Sequence, residues 1–230
     1  MGVERLRINE IFHSIQGEGV RAGVRCVFIR LTGCHLRCTY CDTEYSFHEG
    51  AWMTLDEILD VARSFHCPTV EVTGGEPLLQ PAVFPLMTRL ADEFETVLLE
   101  TSGAVSIADV DPRVVRIVDL KTPSSGEESR NCWANIDLLT ARDEVKFVIG
   151  DHRDYEWSRD VVERYQLTRR CPVLFCPVVG ISETESAGLT LYKGHLEPER
   201  LAAWMLEDRL DVRFGYQLHK VIWSPTARGV

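Results

Sequence analysis

Three cysteines lie close together in the stretch GCHLRCTYCDT, at residues 33–43. All three are candidate metal ligands: Cys34, Cys38 and Cys41. Thiolates are soft ligands, which select zinc, cuprous copper or iron–sulfur clusters. A structural zinc ion would need a fourth ligand, for which His35 or His48 is available, but zinc-binding cysteines usually come as a pair followed by a distant second pair. The spacing C-x3-C-x2-C, with no fourth cysteine near it, therefore fits zinc poorly.

The alternative ligand is a [4Fe–4S] cluster of which the protein holds three irons. Four cysteines would close such a cluster and leave it to electron transfer, as in a ferredoxin-like carrier. With three cysteines, the fourth iron stays open and can bind a substrate or cofactor directly. The triplet therefore favours a cluster that takes part in chemistry over a zinc module or an electron carrier.

The rest of the chain predicts an α/β fold that positions this loop. Short apolar stretches rich in β-branched and aromatic residues indicate strands, and one-sided apolar periodicity indicates helices. Strands are predicted at 26–32, 69–73, 96–100, 114–120, 144–149, 172–178 and 212–219. Helices are predicted at 54–65, 81–94, 152–165 and 197–208. This alternation implies parallel βα units, in either an open doubly wound sheet or a full or partial (β/α) barrel.

Polar, glycine-rich motifs follow four of the predicted strands directly. They are TGCHLRCTYCDT, TGGEP (73–77), ETSG (100–103) and DLKTPSSG (119–126). The carboxyl ends of parallel strands lie on one side of a sheet, where active sites of such folds are found. We therefore expect the four motifs to meet at one mouth.

Composition excludes several classes of function. The formal charge of −10 and the pI near 5.2 argue against nonspecific nucleic-acid binding, which needs a basic surface. No apolar run approaches the roughly 20 residues of a membrane helix, and the N-terminus lacks the apolar core of a secretory signal. We expect a single cytoplasmic domain over residues 1–230, in which the eight cysteines stay reduced.

The cysteine triplet, with Tyr40 before its last cysteine, and TGGEP after the next strand resemble the signature of the radical S-adenosylmethionine (SAM) enzymes. Further segments are similar to the family that makes 7-carboxy-7-deazaguanine: INEIFHSIQGEG (8–19), FIRLTGC (28–34), CDT (41–43), VTGGEP (72–77), LETSG (99–103) and QLHK (217–220). The resemblance runs from residue 8 to about 220. It implies a partial, mostly parallel (β/α) barrel of the radical SAM type and a homodimer.

The resemblance also implies a reaction. SAM would chelate the open iron of a [4Fe–4S] cluster, and one electron from a reducing partner such as flavodoxin or ferredoxin would release a 5′-deoxyadenosyl radical. That radical would take the C6 hydrogen of 6-carboxy-5,6,7,8-tetrahydropterin, whose ring then contracts with loss of ammonia, assisted by Mg2+. SAM would be regenerated, and the product would serve the biosynthesis of queuosine and other 7-deazapurines. The alternative is another small radical SAM enzyme, such as a glycyl-radical activase.

Individual residues take their expected roles from the same resemblance. Cys34, Cys38 and Cys41 would bind the cluster, and Thr43 would bind Mg2+. The residues expected to contact SAM are Tyr40, Asp42, Gly74, Gly75, Glu76, Thr101, Ser102, Asp119 and Lys121, with Gly103 beside them. The residues expected to contact the pterin are Ile15, Gln16, Gly17, Glu18, Arg30, Thr73 and His219.

Several of these residues have a purely structural alternative. Arg30 lies inside an apolar strand, where it should not be buried unpaired. It can hold the substrate carboxylate in a bidentate fork, or it can pair with an internal glutamate. His219 could be a histidine of the core, and Lys121 could be a solvated lysine. Thr43 and Ser102 could close turns. Apart from Lys121, the segment 121–133 is a candidate lid or dimer contact. Lys146 and the tail VIWSPTARGV receive no assigned role.

Overall fold

The computed structural model of the protein describes residues 4–179, 196–223 and 227–230. Nine strands of this part form one sheet: β1 (Arg5–Ile15), β2 (Arg25–Leu31), β3 (Ala51–Thr54), β4 (Thr69–Gly74), β5 (Thr96–Thr101), β6 (Val115–Asp119), β7 (Glu144–Ile149), β8 (Val173–Pro177) and β9 (Arg213–Phe214). The helices are α1 (Leu55–Ser64), α2 (Val83–Glu93), α3 (His152–Tyr165), α4 (Pro198–Glu207) and the one-turn α5 (His219–Ile222). None of these helices is long and apolar enough to cross a membrane.

The strand order is β3-β1-β2-β4-β5-β6-β7-β8-β9. From β2 onward every neighbouring pair is parallel, whereas β1 is antiparallel to both β2 and β3. The order never reverses, so the sheet has no switch point of the doubly wound kind. The sheet is also not closed. The predicted partial, mostly parallel barrel is therefore confirmed, while the expectation of a single domain over 1–230 stays a prediction.

The two faces of the sheet differ in composition. Alternate residues of the strands pack with α1 to α4 in one apolar core, which includes Val27, Ile29, Val70, Val72, Leu99, Val145, Phe147 and Phe175. Because side chains alternate along a strand, the residues between them face away from the helices. These include Phe28, Arg30, Glu71, Glu100, Asp119 and Lys146. Strand alternation thus gives the sheet an apolar helix face and a polar face, which we call the cavity face.

The helices begin where their sequences dictate. The side chain of Thr54 accepts a hydrogen bond from the backbone N–H of Glu57, and the Glu57 carboxylate accepts one from Thr54, which is a complete capping box for α1. In α2, Pro85 lies in the first turn, where its missing N–H costs no hydrogen bond. Both helices bury one apolar stripe against the sheet.

Two parts of the secondary structure were predicted wrongly. The strand predicted at 212–219 is limited to Arg213–Phe214, and His219 begins α5 instead of ending a strand. The chain leaves the sheet because, after Gly215, the backbone N–H of Leu218 donates to Gly17 across the mouth of the cavity face. Strands β1 and β3 were not predicted; β1 is only half-buried, so its apolar pattern is weak.

Candidate active site

A cavity of about 450 Å³ opens on the cavity face, at the carboxyl ends of the strands. The expected cluster and magnesium residues line it: Cys34, Cys38, Cys41 and Thr43. Of the residues expected to contact SAM, the lining includes Tyr40, Asp42, Gly74, Gly75, Thr101, Ser102, Asp119 and Lys121. Of those expected to contact the pterin, it includes Ile15, Gln16, Gly17, Glu18, Arg30, Thr73 and His219. Glu76 and Gly103, also in the described ranges, lie behind the wall.

The cysteine loop is held by its own backbone and by a neighbouring segment. Cys41 donates its backbone N–H to the carbonyl of Cys38, and none of the three cysteines is in a disulfide. Burial raises the pKa of all three thiols, that of Cys41 to about 12. Because only thiolates bind iron, ligation would have to displace the protons of these thiols.

The donor set fits a cluster better than a single ion. Within the described ranges, no three His, Cys, Asp or Glu side chains are grouped as they would be around one metal ion. A [4Fe–4S] cube places each thiolate on a different iron, so its ligands are spread more widely. The two histidines available for zinc, His35 and His48, are outside the cavity lining. The three cysteines thus suit a cluster with an open iron.

The segment 121–133 contacts the cysteine loop. The hydroxyl of Thr39 donates to the carbonyl of Ser124 at 2.6 Å, and the Thr39 backbone N–H donates to Ser125. The backbone N–H of Arg37 donates to Glu127 at 2.7 Å. The carboxylate of Asp154, in the first turn of α3, accepts from Ser124 in turn. These contacts fix the position of the loop from outside the cavity.

The glycines of TGGEP allow close packing against the same loop. A Cβ on Gly75 would lie 2.7 Å from the Cβ of Cys34, closer than side chains can approach. Gly74 has a φ of 145°, which disfavours any other residue. The expectation was that these glycines admit a ligand. Their observed partners are protein atoms, so the motif first of all brings β4 and the cysteine loop together.

Glu76 is completely buried and connects the ends of two strands. Its carboxylate accepts hydrogen bonds from the Thr101 hydroxyl at 3.0 Å, from the Ser102 backbone N–H at 2.8 Å and from the Ser102 hydroxyl at 2.5 Å. It also accepts from the backbone of Leu78. Glu76 therefore orients Thr101 and Ser102, which line the cavity, and holds the ends of β4 and β5 together.

Lys146 lies at the centre of an acidic cluster that sequence reasoning missed. Its ammonium is 3.0 Å from Glu18, 2.5 Å from Glu100 and 3.8 Å from Asp119. Asp119 in turn pairs with Lys121 at 2.9 Å. Glu71, which accepts a hydrogen bond from Gln16, completes what we call the acidic cluster: Glu18, Glu71, Glu100 and Asp119. A signal was present in the sequence, because Lys146 alternates along β7 with the apolar residues Val145 and Phe147 and so belongs to the other face of the sheet.

The carboxyl groups of the acidic cluster have different pKa values. Burial would raise the pKa of Glu18, but Lys146 and His219 outweigh burial and lower it to about 2. Burial and the neighbouring carboxylates Glu100 and Glu18 raise the pKa of Glu71 to about 8. For Glu100, burial with Glu18 and Asp119 outweighs Lys146 and raises the pKa to about 7. Glu18 is thus the most acidic carboxyl group of the three, whereas the environments of Glu71 and Glu100 favour their protonated forms.

Arg30 forms the ion pair that was the structural alternative. Its Nε lies 2.8 Å from Glu10, which also accepts from the hydroxyl of Tyr45. The guanidinium stands over the rings of Phe12 and Tyr45, at 5.8 and 5.9 Å. Because Arg30 lines the cavity as well, this pairing orients a cation toward the cavity.

Three further basic side chains line the cavity together with Arg30, and we call the four the basic cluster: Arg30, His219, Lys220 and Arg228. Lys220 pairs with Asp42 at 2.7 Å. Burial would raise the pKa of Asp42, but Lys220 outweighs it and holds that pKa well below its usual range. Burial lowers the pKa of His219 despite Glu18 and Asp42, so the ring is neutral at pH 7. Arg228, from the unassigned tail, lies 3.9 Å above the ring of Tyr45.

Comparison with known proteins agrees with a cysteine loop at the carboxyl ends of a parallel sheet. The profile of the family described as Radical SAM superfamily matches residues 28–191. The chain belongs to that superfamily of radical SAM enzymes. A 7-carboxy-7-deazaguanine synthase from Chlorobaculum tepidum is 46% identical over 228 residues, covering 98% of this chain and 97% of the relative. One from Koribacter versatilis is 44% identical over 230 residues, covering 98% and 100%. Within the superfamily, the chain belongs to the 7-carboxy-7-deazaguanine synthase family.

Solved structures share the fold. The crystal structure of QueE from Escherichia coli superposes with a TM-score of 0.71 at 22% identity, over 93% of this chain and 94% of that one. The crystal structure of Streptococcus suis SuiB bound to S-adenosylmethionine gives a TM-score of 0.58 at 14% identity, over 80% of this chain and 48% of that one. At these identities the likeness supports the fold alone, and the roles of individual residues are argued from their contacts.

Proposed function

We propose that the protein catalyses the radical-mediated ring contraction of 6-carboxy-5,6,7,8-tetrahydropterin to 7-carboxy-7-deazaguanine, with loss of ammonia. The observation that carries the proposal is a cavity that joins the cysteine loop to both an acidic and a basic cluster. The substrate has matching chemistry, because its carboxylate needs cations and its guanidine-like edge needs acceptors. The identity of the curated relatives over nearly their whole length supports the same reaction.

The proposal gives the cysteine loop the initiating step. Cys34, Cys38 and Cys41 would hold a [4Fe–4S] cluster, which together with SAM supplies the radical chemistry. Lys121, buried and paired with Asp119, would attract the SAM carboxylate. Thr101 and Ser102, oriented by Glu76, would contact SAM beside Gly74 and Gly75. Tyr40, whose hydroxyl lies 3.3 Å from that of Thr122, and Asp42 would complete this side of the cavity.

The pterin would bind between the two clusters. Arg30 and His219 would take its carboxylate, and Glu18 would accept from its amino group beside Gln16. Ile15, Gly17 and Thr73, which form part of the cavity wall, would contact the ring. Thr43 would bind Mg2+; its hydroxyl donates to Asp42 at 2.8 Å, which leaves its oxygen lone pairs for a cation. Because a single hydroxyl is a weak ligand for a hard cation, the substrate oxygens would supply the remaining ligands.

The proposal includes the cellular setting. We place the protein in the cytoplasm, in queuosine and 7-deazapurine biosynthesis for tRNA modification, with flavodoxin or ferredoxin as reducing partner. We also propose a homodimer without nucleic-acid or membrane partners. Val221 and Ile222 of α5 are 65% and 51% exposed, which favours burial against a second copy. Light scattering of the reconstituted protein at micromolar concentration tests this, and a monomer there would remove the dimer.

One anaerobic assay tests the reaction. Reconstituted protein, reductant, SAM, Mg2+ and 6-carboxytetrahydropterin are mixed, and mass spectrometry follows 7-carboxy-7-deazaguanine, SAM and 5′-deoxyadenosine. We expect product without net consumption of SAM. Accumulation of 5′-deoxyadenosine without product would overturn the proposed substrate and return the protein to the wider class that includes glycyl-radical activases. The same mixture without reductant is the control.

A further inference from the structure

Lys146 is a buried cation that the proposed reaction leaves without a role. It is 6% exposed, lies in the middle of β7 and faces the cavity through strand alternation. A buried ammonium is costly unless it is paired and hydrogen-bonded. Its close partners come from three separate elements: Glu18 from the loop after β1, Glu100 from β5 and Asp119 from β6. A lysine with a purely local role would need only one of them.

The partners of Lys146 belong to different sides of the cavity. Glu18 is in the segment expected to recognise the pterin. Asp119 instead pairs with Lys121, which is expected to hold SAM, at 2.9 Å. One oxygen of Asp119, Oδ2, contacts both lysines, while its other oxygen is buried without a hydrogen-bond partner. Moving Lys146 would therefore disturb Glu18 and Asp119 together.

We infer that Lys146 is a positioning residue that connects the two ligand sites, because its ammonium, held by Glu100, fixes Glu18 on the pterin side and, through Asp119, orients Lys121 on the SAM side. The inference rests on the proposed function for the identity of the two ligands. It assigns Lys146 no contact with either of them.

The charges around Lys146 define what its loss would do. The ionisable groups that act on it are Glu18, Glu71, Glu100, Asp119, Glu144 and Cys176. Without the ammonium, the carboxylates repel one another in a region of low dielectric and take up protons. A protonated carboxyl accepts less well from the pterin's N–H groups. Substrate binding should then improve as the pH rises and the carboxyls ionise again.

The test compares Lys146→Met with a matched control. Met keeps the unbranched shape and most of the length of the side chain and removes its charge. Arg116 on β6 is equally buried and pairs with Asp143 at 2.6 Å, but strand alternation places it on the helix face, outside the cavity lining. Arg116→Met therefore removes a comparable ion pair without touching the ligand sites. Lys146→Arg restores the charge and should rescue part of the loss.

The measurements are iron content, anaerobic pterin affinity from pH 6 to 9 with and without saturating SAM, and SAM affinity alone. For Lys146→Met we expect full iron content and pterin binding weakened roughly tenfold or more at pH 7, since a charge-assisted network is lost. The loss should shrink toward pH 9. SAM affinity should fall several-fold, and SAM should enhance pterin binding less than in the wild type. Arg116→Met should change only thermal stability.

Different results would contradict the role of Lys146 and the proposed reaction. Pterin and SAM affinities within twofold of wild type at every pH would overturn the role of Lys146. A loss equal at all pH values, and shared by Arg116→Met, would also overturn it, because it would report damage to the fold. If the wild type makes no product from this pterin, the proposed function fails instead. SAM affinity then still decides whether Lys146 orients the Asp119–Lys121 pair.

Discussion

The two faces of the central sheet are made by the same strands, yet they follow different rules. On the helix face, side chains such as Phe147 and Leu99 are fully buried in one continuous apolar core with α1 to α4. On the cavity face, the positions next to them are Lys146 and Glu100, held by ion pairs. The first face provides the stability of the fold. The cavity face lowers the stability of the fold, because it keeps charged groups away from water. Such buried charges are a property of ligand sites rather than of cores.

The largest effect that distinguishes the two faces should come from Cys38→Ala. Removing one of three proposed ligands should abolish retention of the cluster and product formation, while the fold persists because the loop lies outside the apolar core. Iron and sulfide analysis with circular dichroism checks this. The matched variant Cys67→Ala removes a thiol buried on the helix face and should keep its iron. Equal iron content in the two variants would contradict the assignment of the loop.

The next effect lies on the helix face. Phe147 is fully buried and packs edge-on against Phe175 and Trp157. Phe147→Ala should lower the free energy of unfolding by about 3–5 kcal/mol, because a large cavity would remain. The turnover of the molecules still folded at low temperature should be close to that of the wild type. Denaturant titration and a low-temperature assay measure the two. A selective loss of turnover with normal stability would mean that the faces are not independent.

A smaller effect concerns the pH dependence of stability. The pKa of Glu71 is raised to about 8 in the folded protein, mainly by burial and by Glu100, from 4.5 as the ordinary value. Between about pH 4.5 and 8 Glu71 thus holds more of its proton in the folded than in the unfolded state, so its contribution to stability falls as the pH rises. Glu71→Gln should flatten this fall. The free energy of unfolding at pH 5 and 8 tests it, with Phe147→Ala as the variant that should leave the slope unchanged.

The smallest effect should be Thr54→Ala at the start of α1. It removes the capping box with Glu57 on the solvent side of the helix face and should cost about 1 kcal/mol. Thr54→Ser, which keeps the hydroxyl, should recover most of this. A thermal melt resolves the difference. A loss of ligand affinity in Thr54→Ala would be unexpected, since α1 does not line the cavity.

The helix face was the predictable part of the fold. Its strands β2 and β4 to β8, and its helices α1 to α4, follow from apolar periodicity, which depends only on local sequence. The two edge strands, β3 and β9, and the neighbouring strand β1 were not predictable in this way. β1 and β3 are half-exposed, and β9 is two residues long because the chain then turns toward Gly17, a contact that no local pattern announces.

The candidate site divides similarly. Motifs that carry a spacing, such as the cysteine triplet and TGGEP, were identified from sequence, and the structure brings them to one cavity. Lys146 and Glu71 belong to no recognisable motif. Their place in the site depends on partners far away in the chain, which the local sequence does not indicate. Glu76 was identified as a SAM contact, which stays a prediction, and the structure adds its hydrogen bonds to Thr101 and Ser102. Its position behind the wall depends on how the ends of β4 and β5 approach each other, which spacing alone does not encode.

The return of the chain after β9 has a consequence for the order in which the protein is assembled. Gln217 donates to Glu18 at 3.0 Å, Leu218 donates to Gly17, and Lys220 pairs with Asp42. These contacts join segments separated by most of the sequence, so they belong to the slowest class of contacts to form. During synthesis the three cysteines are added early. The residues Gln217, Leu218 and Lys220, which contact Glu18, Gly17 and Asp42, are added much later. The mouth of the cavity is therefore completed only once residues 217–220 have been synthesised, after strands β1 to β9 are available to fold.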